Sequence, residues 1–195
     1  MAECTDLSLS ISPSDPPLAA IALGSNLGEP LRQLRSAVQM LAQTAGIDVL
    51  AYSPWYYTVP VGPPQPNYWN GCLIARVQLS PWALLKTLQR IEVQFGRQRQ
   101  EHWGARTLDL DLLLYGDRVI TTAELTLPHP RLAERPFVLA PLAAIAPHWR
   151  HPVLGETIQT LRQQVGDVGI IAVLSDDAGE TMCATVADRQ PPERR

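Results

Sequence analysis

The segment from Arg106 to Tyr115 constrains the fold of this chain more than any other part of its sequence. It reads Arg-Thr-Leu-Asp-Leu-Asp-Leu-Leu-Leu-Tyr, and successive side chains of a β-strand point to opposite faces. Asp109 and Asp111 would therefore share one face with Thr107. The other face would be apolar and comprise Leu108, Leu110, Leu112 and Leu114. Such a strand needs a hydrophobic core on one side and an environment for two neighbouring carboxylates on the other.

The two aspartates need an explanation, because Asp is depleted in β-strands. Residues two apart on a strand are roughly 6 to 7 Å apart, and two carboxylates at that distance in a partly dry site repel unless a cation lies between them. A solvated sheet face is the alternative, and it is the commoner explanation for an isolated Asp-x-Asp. Titratable and cationic side chains precede the pair, namely Arg97, Arg99, His102 and Arg106. This combination favours a site for metal and phosphate.

The composition argues against several classes of function. The formal net charge of the 195 residues is −3 and Lys86 is the only lysine, so we expect no broad surface for nucleic acid or anionic lipid. We find no transmembrane run and no signal peptide. Cys4, Cys72 and Cys183 are widely spaced, which indicates neither a disulfide framework nor a zinc site. We expect a cytoplasmic protein.

Hydrophobic periodicity and turn residues predict an α+β fold. Strands are expected at 18–23, 47–57, 68–79 and 106–115, with helices from Pro30 to Gly46 and from Ser80 to Gly96. The order strand, helix, strand, strand, helix, strand is that of a ferredoxin-like sandwich. Its sheet would be mainly antiparallel, with helices on one face and the other face open for a site.

The remaining segments are predicted less specifically. Residues 119–127 follow a Gly-Asp turn signal, which predicts a hairpin partner for the aspartate strand. Further helices are expected after Pro136 and over 156–165. Residues 1–17 are predicted to be a disordered leader, because they are rich in Ser, Pro and Asp and lack periodicity.

Four segments carry motifs that can be recognised together. They are Ile21 to Gly28, Thr58 to Asn70, His102 to Asp111, and Leu127 to Phe137. In this order they strongly resemble the motifs of the 6-hydroxymethyl-7,8-dihydropterin pyrophosphokinase family, over roughly 18–152. The resemblance implies transfer of pyrophosphate from Mg-ATP to the hydroxymethyl group of the reduced pterin in folate biosynthesis. We therefore expect a pyrophosphokinase domain at 18–167 and a partly disordered C-terminal extension at 168–195.

The resemblance also implies roles for the charged residues. Asp109 and Asp111 would hold two Mg2+ ions, and phosphate chemistry of this kind relies on metal ions and cationic groups. Arg97 and Arg106 would be catalytic phosphate ligands and Arg99 a further one, whereas a surface run of charge is the alternative for all three. Three positions depart from the usual pattern of the family. His102 stands where an arginine is common, Ala105 where proline is common, and Pro130 where an aromatic residue is common.

The substrate sites follow from the same resemblance. For the pterin, the expected residues are Thr58, Pro60, Val61, Tyr68, Asn70, Trp103 and Phe137. Tyr68 and Phe137 would lie on the two faces of the ring and Asn70 would bond its edge, although Phe137 and Trp103 could instead be core aromatics. For ATP, the expected residues are Gln89, Arg97, Arg99, Thr126, His129 and Arg135. Glu92 remains open between a weak nucleotide contact and a structural anchor that pairs with an arginine.

Two functions from other classes remain alternatives. A non-catalytic pterin or nucleotide sensor could keep the fold and the pocket, but binding alone would not require two carboxylates at the phosphates. A phosphohydrolase with two metal ions could use the same aspartates, but it would leave the pterin-binding residues without a role.

Overall fold

A computed structural model of the protein describes residues 16–96 and 104–175. The strands are β1 (Leu18–Ser25), β2 (Ile47–Tyr52), β3 (Trp55–Thr58), β4 (Tyr68–Val77), β5 (Asp109–Tyr115), β6 (Ile120–Thr121), β7 (Thr126–Leu127) and β8 (Ile170–Leu174). The helices are α1 (Pro30–Ala42), α2 (Pro81–Gln94), α3 (Pro136–Ile145) and α4 (Ile158–Val165), and a 3-10 turn covers Leu132–Glu134. Among these described residues, no helix is both long and apolar enough to cross a membrane.

The main sheet has six strands in the order β5-β1-β4-β3-β8, and β2 also pairs with β4. Every pairing in it is antiparallel. The predicted α+β class with a mainly antiparallel sheet is confirmed. The aspartate strand β5 lies at one edge of this sheet, next to β1.

Two hydrophobic clusters lie on opposite faces of the sheet. Ile21 and Leu23 of β1 pack in the first cluster with buried residues of α1 and α2. Ala20, which points the other way, belongs to the second cluster with buried residues of α3 and α4. Helices α1 and α2 thus share one face of the sheet, and α3 and α4 cover part of the other. The row of residues around Gly24 and Asp109 continues that second face beyond the cluster.

Local sequence explains where the helices begin. Pro30 and Pro81 occupy the first turns of α1 and α2, where a missing N–H costs nothing. The Ser80 side chain caps α2 by accepting from Ala83 N at 3.3 Å. Such a cap is worth about 0.5 to 2 kcal/mol, and it defines where α2 begins.

Two details of the predicted strands were wrong. The single strand expected at 47–57 is divided into β2 and β3, because Pro54 has no N–H and Ser53 Oγ, at 3.0 Å, accepts from Cys72 N in place of a backbone carbonyl. The register between β1 and β5 shifts between Ala20 and Ile21. Leu114 therefore lies in the second cluster and not with the other leucines, and Tyr115 packs in the first.

The predicted pairing of residues 119–127 with β5 was also wrong. This segment pairs with itself, Ile120 opposite Leu127 in the hairpin of β6 and β7. The outer edge of β5 is occupied differently, since Glu92 Oε1 accepts from Leu110 N at 2.8 Å and Leu113 O accepts from His129 N at 2.9 Å. At the other edge β8 pairs with β3, so the sheet continues into the segment that we expected to be an extension.

Candidate active site

Three neighbouring strands place one residue each in a row across the sheet. Gly24 of β1 lies opposite Asn70 of β4 on one side and Asp109 of β5 on the other. A Cβ atom added to Gly24 would lie 3.0 Å from Asn70 Oδ1, 3.8 Å from Tyr68 Cδ1 and 3.9 Å from Asp109 Cβ. The missing side chain of Gly24 therefore leaves a hollow lined by an amide, an aromatic ring and a carboxylate.

Asp109 is paired with Arg106 inside this site. Arg106 Nη1 donates to Asp109 Oδ2 at 2.5 Å, and their side chains are 27% and 21% exposed. Burial alone would lower the pKa of Arg106, but the charge of Asp109 and the hydrogen bond to it, with Tyr68 and Asp111, raise this pKa overall. The guanidinium is thus permanently charged and held beside the carboxylate.

Asp111 faces two other basic residues. Its Oδ2 lies 3.7 Å from Arg135 Nη1 and 3.9 Å from His129 Nε2. These separations are too long for hydrogen bonds, so the interactions are electrostatic. Asp111 has the more exposed side chain of the two aspartates, 37% against 21%. The carboxylate of Asp111 therefore remains accessible to a ligand.

His129 is neutral in this environment. Burial, followed by the charges of Arg135 and Arg131, lowers the pKa of His129 to about 4. Its Nδ1 accepts from Arg131 N at 3.1 Å, so in the neutral ring the proton is on Nε2. His129 consequently presents an N–H donor to the side on which Asp111 lies. Burial also lowers the pKa of Arg135.

The amide of Asn70 is fixed by Thr58. Asn70 Nδ2 donates to Thr58 Oγ1 at 2.8 Å, and the two residues are 8% and 2% exposed. This bond directs the Oδ1 atom of Asn70 towards the hollow at Gly24. The Tyr68 hydroxyl lies 3.2 Å from Gly104 O and 3.2 Å from Gln65 Oε1, which holds the ring beside the same hollow.

The other predicted residues fall into four groups. Phe137 lies in the first turn of α3, 5.5 Å from the Arg135 guanidinium and packed against the second cluster. Gln89 is on α2, behind the sheet, and Thr126 is on β7. Pro60 and Val61 lie in the loop between β3 and β4, and Val61 is 57% exposed. Arg97, Arg99, His102 and Trp103 lie outside the described residues.

Sequence reasoning missed several residues that shape the site. Gly24 and Asn26 were interpreted only as part of a turn, although their position at the end of β1 next to the aspartate strand was the available signal. Glu92 was not missed, because a structural anchor was one of its two predicted roles. It is 2% exposed, and it anchors the backbone between the two aspartates by accepting from Leu110 N. Arg131 had no sequence signal, and it contributes positive charge near His129 and Arg135.

The carboxylates of Asp109 and Asp111 fit Mg2+ better than a metal ion that is coordinated by protein side chains alone. Within residues 16–96 and 104–175, no three His, Cys, Asp or Glu side chains form a cluster that could hold a metal ion. Mg2+ is usually bound by one or two carboxylates, with substrate phosphates and water completing its octahedron. Asp109 and Asp111 supply that number of carboxylates on one face of one strand.

Carboxylates beside fixed cations are groups that bind metal ions and phosphate, and here they lie next to a hollow lined by amide and aromatic groups. This arrangement is typical of an enzyme of phosphoryl transfer. Residues 20–147 match the model of the 7,8-dihydro-6-hydroxymethylpterin-pyrophosphokinase (HPPK) family. The chain belongs to this family, which confirms the resemblance found in its sequence. It is therefore an ATP-dependent pyrophosphokinase of folate biosynthesis.

Individual relatives agree with this assignment. A 2-amino-4-hydroxy-6-hydroxymethyldihydropteridine pyrophosphokinase from Synechocystis sp. is 53% identical over 159 residues, which cover 80% of this chain and 82% of that protein. A protein of the same name from Haemophilus influenzae is 46% identical over 129 residues, which cover 66% of this chain and 81% of that protein.

A solved structure agrees with the fold alone. The crystal structure of Plasmodium falciparum HPPK-DHPS has a TM-score of 0.60 and 14% identity. The match covers 76% of this chain and 43% of that chain, so this chain spans less than half of that protein.

Proposed function

We propose that the residues around Gly24 and β5 carry out the pyrophosphoryl transfer of this family, with Asp109 and Asp111 as the ligands of two Mg2+ ions. The observation that supports this most directly is the row of Asn70, Gly24 and Asp109, because it brings a polar substrate hollow against a carboxylate. Asp109 and Asp111 would hold these ions, which would supply positive charge to neutralise the phosphates and act as Lewis acids.

The triphosphate of ATP would lie against the basic residues that surround these aspartates. Arg106, Arg135 and the N–H of His129 approach Asp109 and Asp111 from two sides. Guanidinium groups bind phosphate through paired hydrogen bonds, and Arg97 and Arg99 are expected to add to them. The resemblance also implies that Gln89 and Thr126 contact the nucleotide, although α2 lies on the other face of the sheet from the two aspartates. Because its pKa is about 4, His129 would act as a neutral hydrogen-bond donor at pH 7.

The pterin would occupy the hollow at Gly24. Asn70 Oδ1, held by Thr58, would accept a hydrogen bond from the edge of the ring, and Tyr68 would pack on one ring face. Phe137 would pack on the other face. The remaining expected contacts are Pro60, Val61 and Trp103.

The reaction forms one bond and breaks another. The hydroxymethyl oxygen of the pterin attacks the β-phosphorus of ATP, the bond from that phosphorus to the αβ-bridging oxygen breaks, and AMP leaves with the bridging oxygen. The hydroxyl proton goes to solvent. Arg106 and Arg135 would stabilise the charge that moves onto the phosphate oxygens, since fixed charges need no reorganisation during the reaction.

A product analysis tests this proposal against the two alternatives. The protein is incubated with Mg2+ and ATP, with and without 6-hydroxymethyl-7,8-dihydropterin, and AMP, ADP and free phosphate are separated. We expect AMP and the pterin diphosphate only when the pterin is present. Phosphate release without the pterin would instead support a phosphohydrolase, and binding without turnover would support a sensor.

The remaining expectations concern the state of the protein in the cell. We propose a cytoplasmic monomer, on the grounds that its reaction uses small soluble substrates and that its site is formed within one chain. Light scattering coupled to gel filtration should give the mass of one chain, and a mass of two chains would contradict this.

A further inference from the structure

We propose that Asn26 is a positioning residue that couples the pterin-side loop, residues 59–66, to the backbone of Arg106. This inference rests on the proposed function, because it assigns the two segments to the pterin and to the triphosphate. Asn26 directly follows β1 and is 4% exposed. A buried amide must satisfy its own hydrogen-bonding groups, and this side chain does so by joining two segments that are distant in sequence.

One side of the Asn26 residue holds Arg106. Asn26 Oδ1 accepts from Arg106 N at 2.7 Å, and Asn26 N donates to Arg106 O at 3.0 Å. These two bonds fix the peptide of Arg106 against the end of β1. The side chain of Arg106 pairs with Asp109, so the backbone position of Arg106 determines where its guanidinium can reach.

The other side of Asn26 holds the loop. Asn26 Nδ2 donates to Pro66 O at 2.9 Å and to Gln65 Oε1 at 3.1 Å. Both hydrogens of the amide are thereby used. Gln65 Oε1 also lies 3.2 Å from the hydroxyl of Tyr68, which lies 3.2 Å from Gly104 O. A second path of polar contacts therefore returns from the loop to the segment before Arg106.

This arrangement predicts that the two substrates bind cooperatively. A ligand that orders one of the two segments lowers the cost of ordering the other when a shared group links them. Coupling between sites is commonly 5- to 150-fold in affinity, and it is reciprocal. We therefore expect the reduced pterin to tighten the binding of a nonhydrolysable ATP analogue, and the analogue to tighten the binding of pterin by the same factor.

The substitution Asn26→Asp separates the two sides of the residue. Aspartate keeps an oxygen that can accept from Arg106 N, but it replaces the donor to Pro66 O and Gln65 Oε1 with a second acceptor. The matched control is Asn67→Asp, which makes the same isosteric change and adds the same charge next to Pro66. Calorimetric titration with Mg2+ and the ATP analogue, in the presence and absence of the pterin, measures the coupling factor of each variant.

We expect Asn26→Asp to reduce the coupling factor to within about twofold of one. Asn67→Asp should keep the wild-type coupling. Wild-type coupling in Asn26→Asp, or no coupling in the wild type, would overturn the inference. If Asn26→Asp did not unfold cooperatively, Gln65→Ala would test the loop side alone with the same expected loss. A wild type that makes no AMP would contradict the proposed function instead.

Discussion

Gly24 and Gly71 provide a matched pair of substitutions that separates the binding site from the core. A Cβ atom added to Gly71 would lie 2.6 Å from Trp55 Cζ3 and 2.7 Å from Cε3, in a ring that is 1% exposed. At Gly24 the nearest atom would be Asn70 Oδ1 at 3.0 Å, and the next lies at 3.8 Å. We predict that Gly71→Ala destabilises the fold, whereas Gly24→Ala retains it and weakens pterin binding.

The magnitudes follow from these contacts. Overpacking a core by one carbon costs about 1 to 3 kcal/mol, and for a chain of this size each kcal/mol lowers Tm by about 2 to 4 °C. Gly71→Ala should therefore lower Tm by about 2 to 12 °C. At Gly24 the alanine makes the unfolded chain stiffer, which adds about 0.4 to 1 kcal/mol to the stability of the fold. This gain offsets the energy needed to move the Asn70 side chain. Loss of the Asn70 hydrogen bond to the pterin would cost about 1 to 3 kcal/mol, or roughly 5- to 150-fold in affinity.

Thermal unfolding of each variant and calorimetric titration with the pterin, in the presence of the ATP analogue, give the two quantities. Wild-type pterin affinity in Gly24→Ala would refute the assignment of this hollow to the pterin. An unchanged Tm in Gly71→Ala would refute the steric argument itself. If Gly71→Ala binds the pterin with wild-type affinity at temperatures below its lowered Tm, the effect on stability and the effect on binding are independent.

Three further predictions concern charged and buried groups. Asp109→Asn and Asp111→Asn should each lower turnover about a thousandfold or more, because the metal ions lose a charged ligand. The circular dichroism spectrum and the Tm of both variants should stay near wild type. Near-normal turnover in either variant would disprove the metal assignment. Glu92→Ala should lower the free energy of unfolding in urea by about 1 to 3 kcal/mol, because Leu110 N loses its acceptor, and Glu92→Gln should recover most of that loss. Burial lowers the pKa of His151, whose Nδ1 accepts from two backbone N–H groups, so the unfolded chain takes up a proton at higher pH than the folded one. The contribution of His151 to the free energy of unfolding should therefore be fully present above about pH 6.5 and be lost as the pH falls below that value. An equally steep loss of stability in His151→Asn would contradict this.

The sequence predicted the main features of the fold because each has a local cause. Helices α1 and α2 begin at prolines and end before glycines. From Leu108 to Leu112, leucines and aspartates alternate with the period of a strand. The errors lie where hydrogen bonds between distant residues decide the outcome. The shift of register beside Ala20 cannot be read from the alternation of one strand. Pro54 was a local signal for the break between β2 and β3, but the hydrogen bond of Ser53 with Cys72 on β4 was not.

The site could be predicted only in part for the same reason. Asp109, Asp111 and Arg106 are close in sequence, so strand periodicity brings them together. His129 and Arg135 reach Asp111 only because the chain after β7 returns to the edge of the sheet. Asn26 is the clearest omission, since its four hydrogen bonds join residues 39 to 80 positions away, and only the folded structure reveals them.

The position of β5 at the edge of the sheet explains how one strand can support this site. Its inner side pairs with β1, which fixes Asp109 opposite Gly24 and Asp111 opposite Ala22. A strand in the interior would have a second strand on its outer side, and helix and loop residues could not reach its backbone there. At this edge the exposed backbone is instead bonded by Glu92 from α2 and by the backbone of His129. The same bonds that protect the edge from pairing with another chain thus hold the aspartates in place and bring His129 and Arg135 to Asp111.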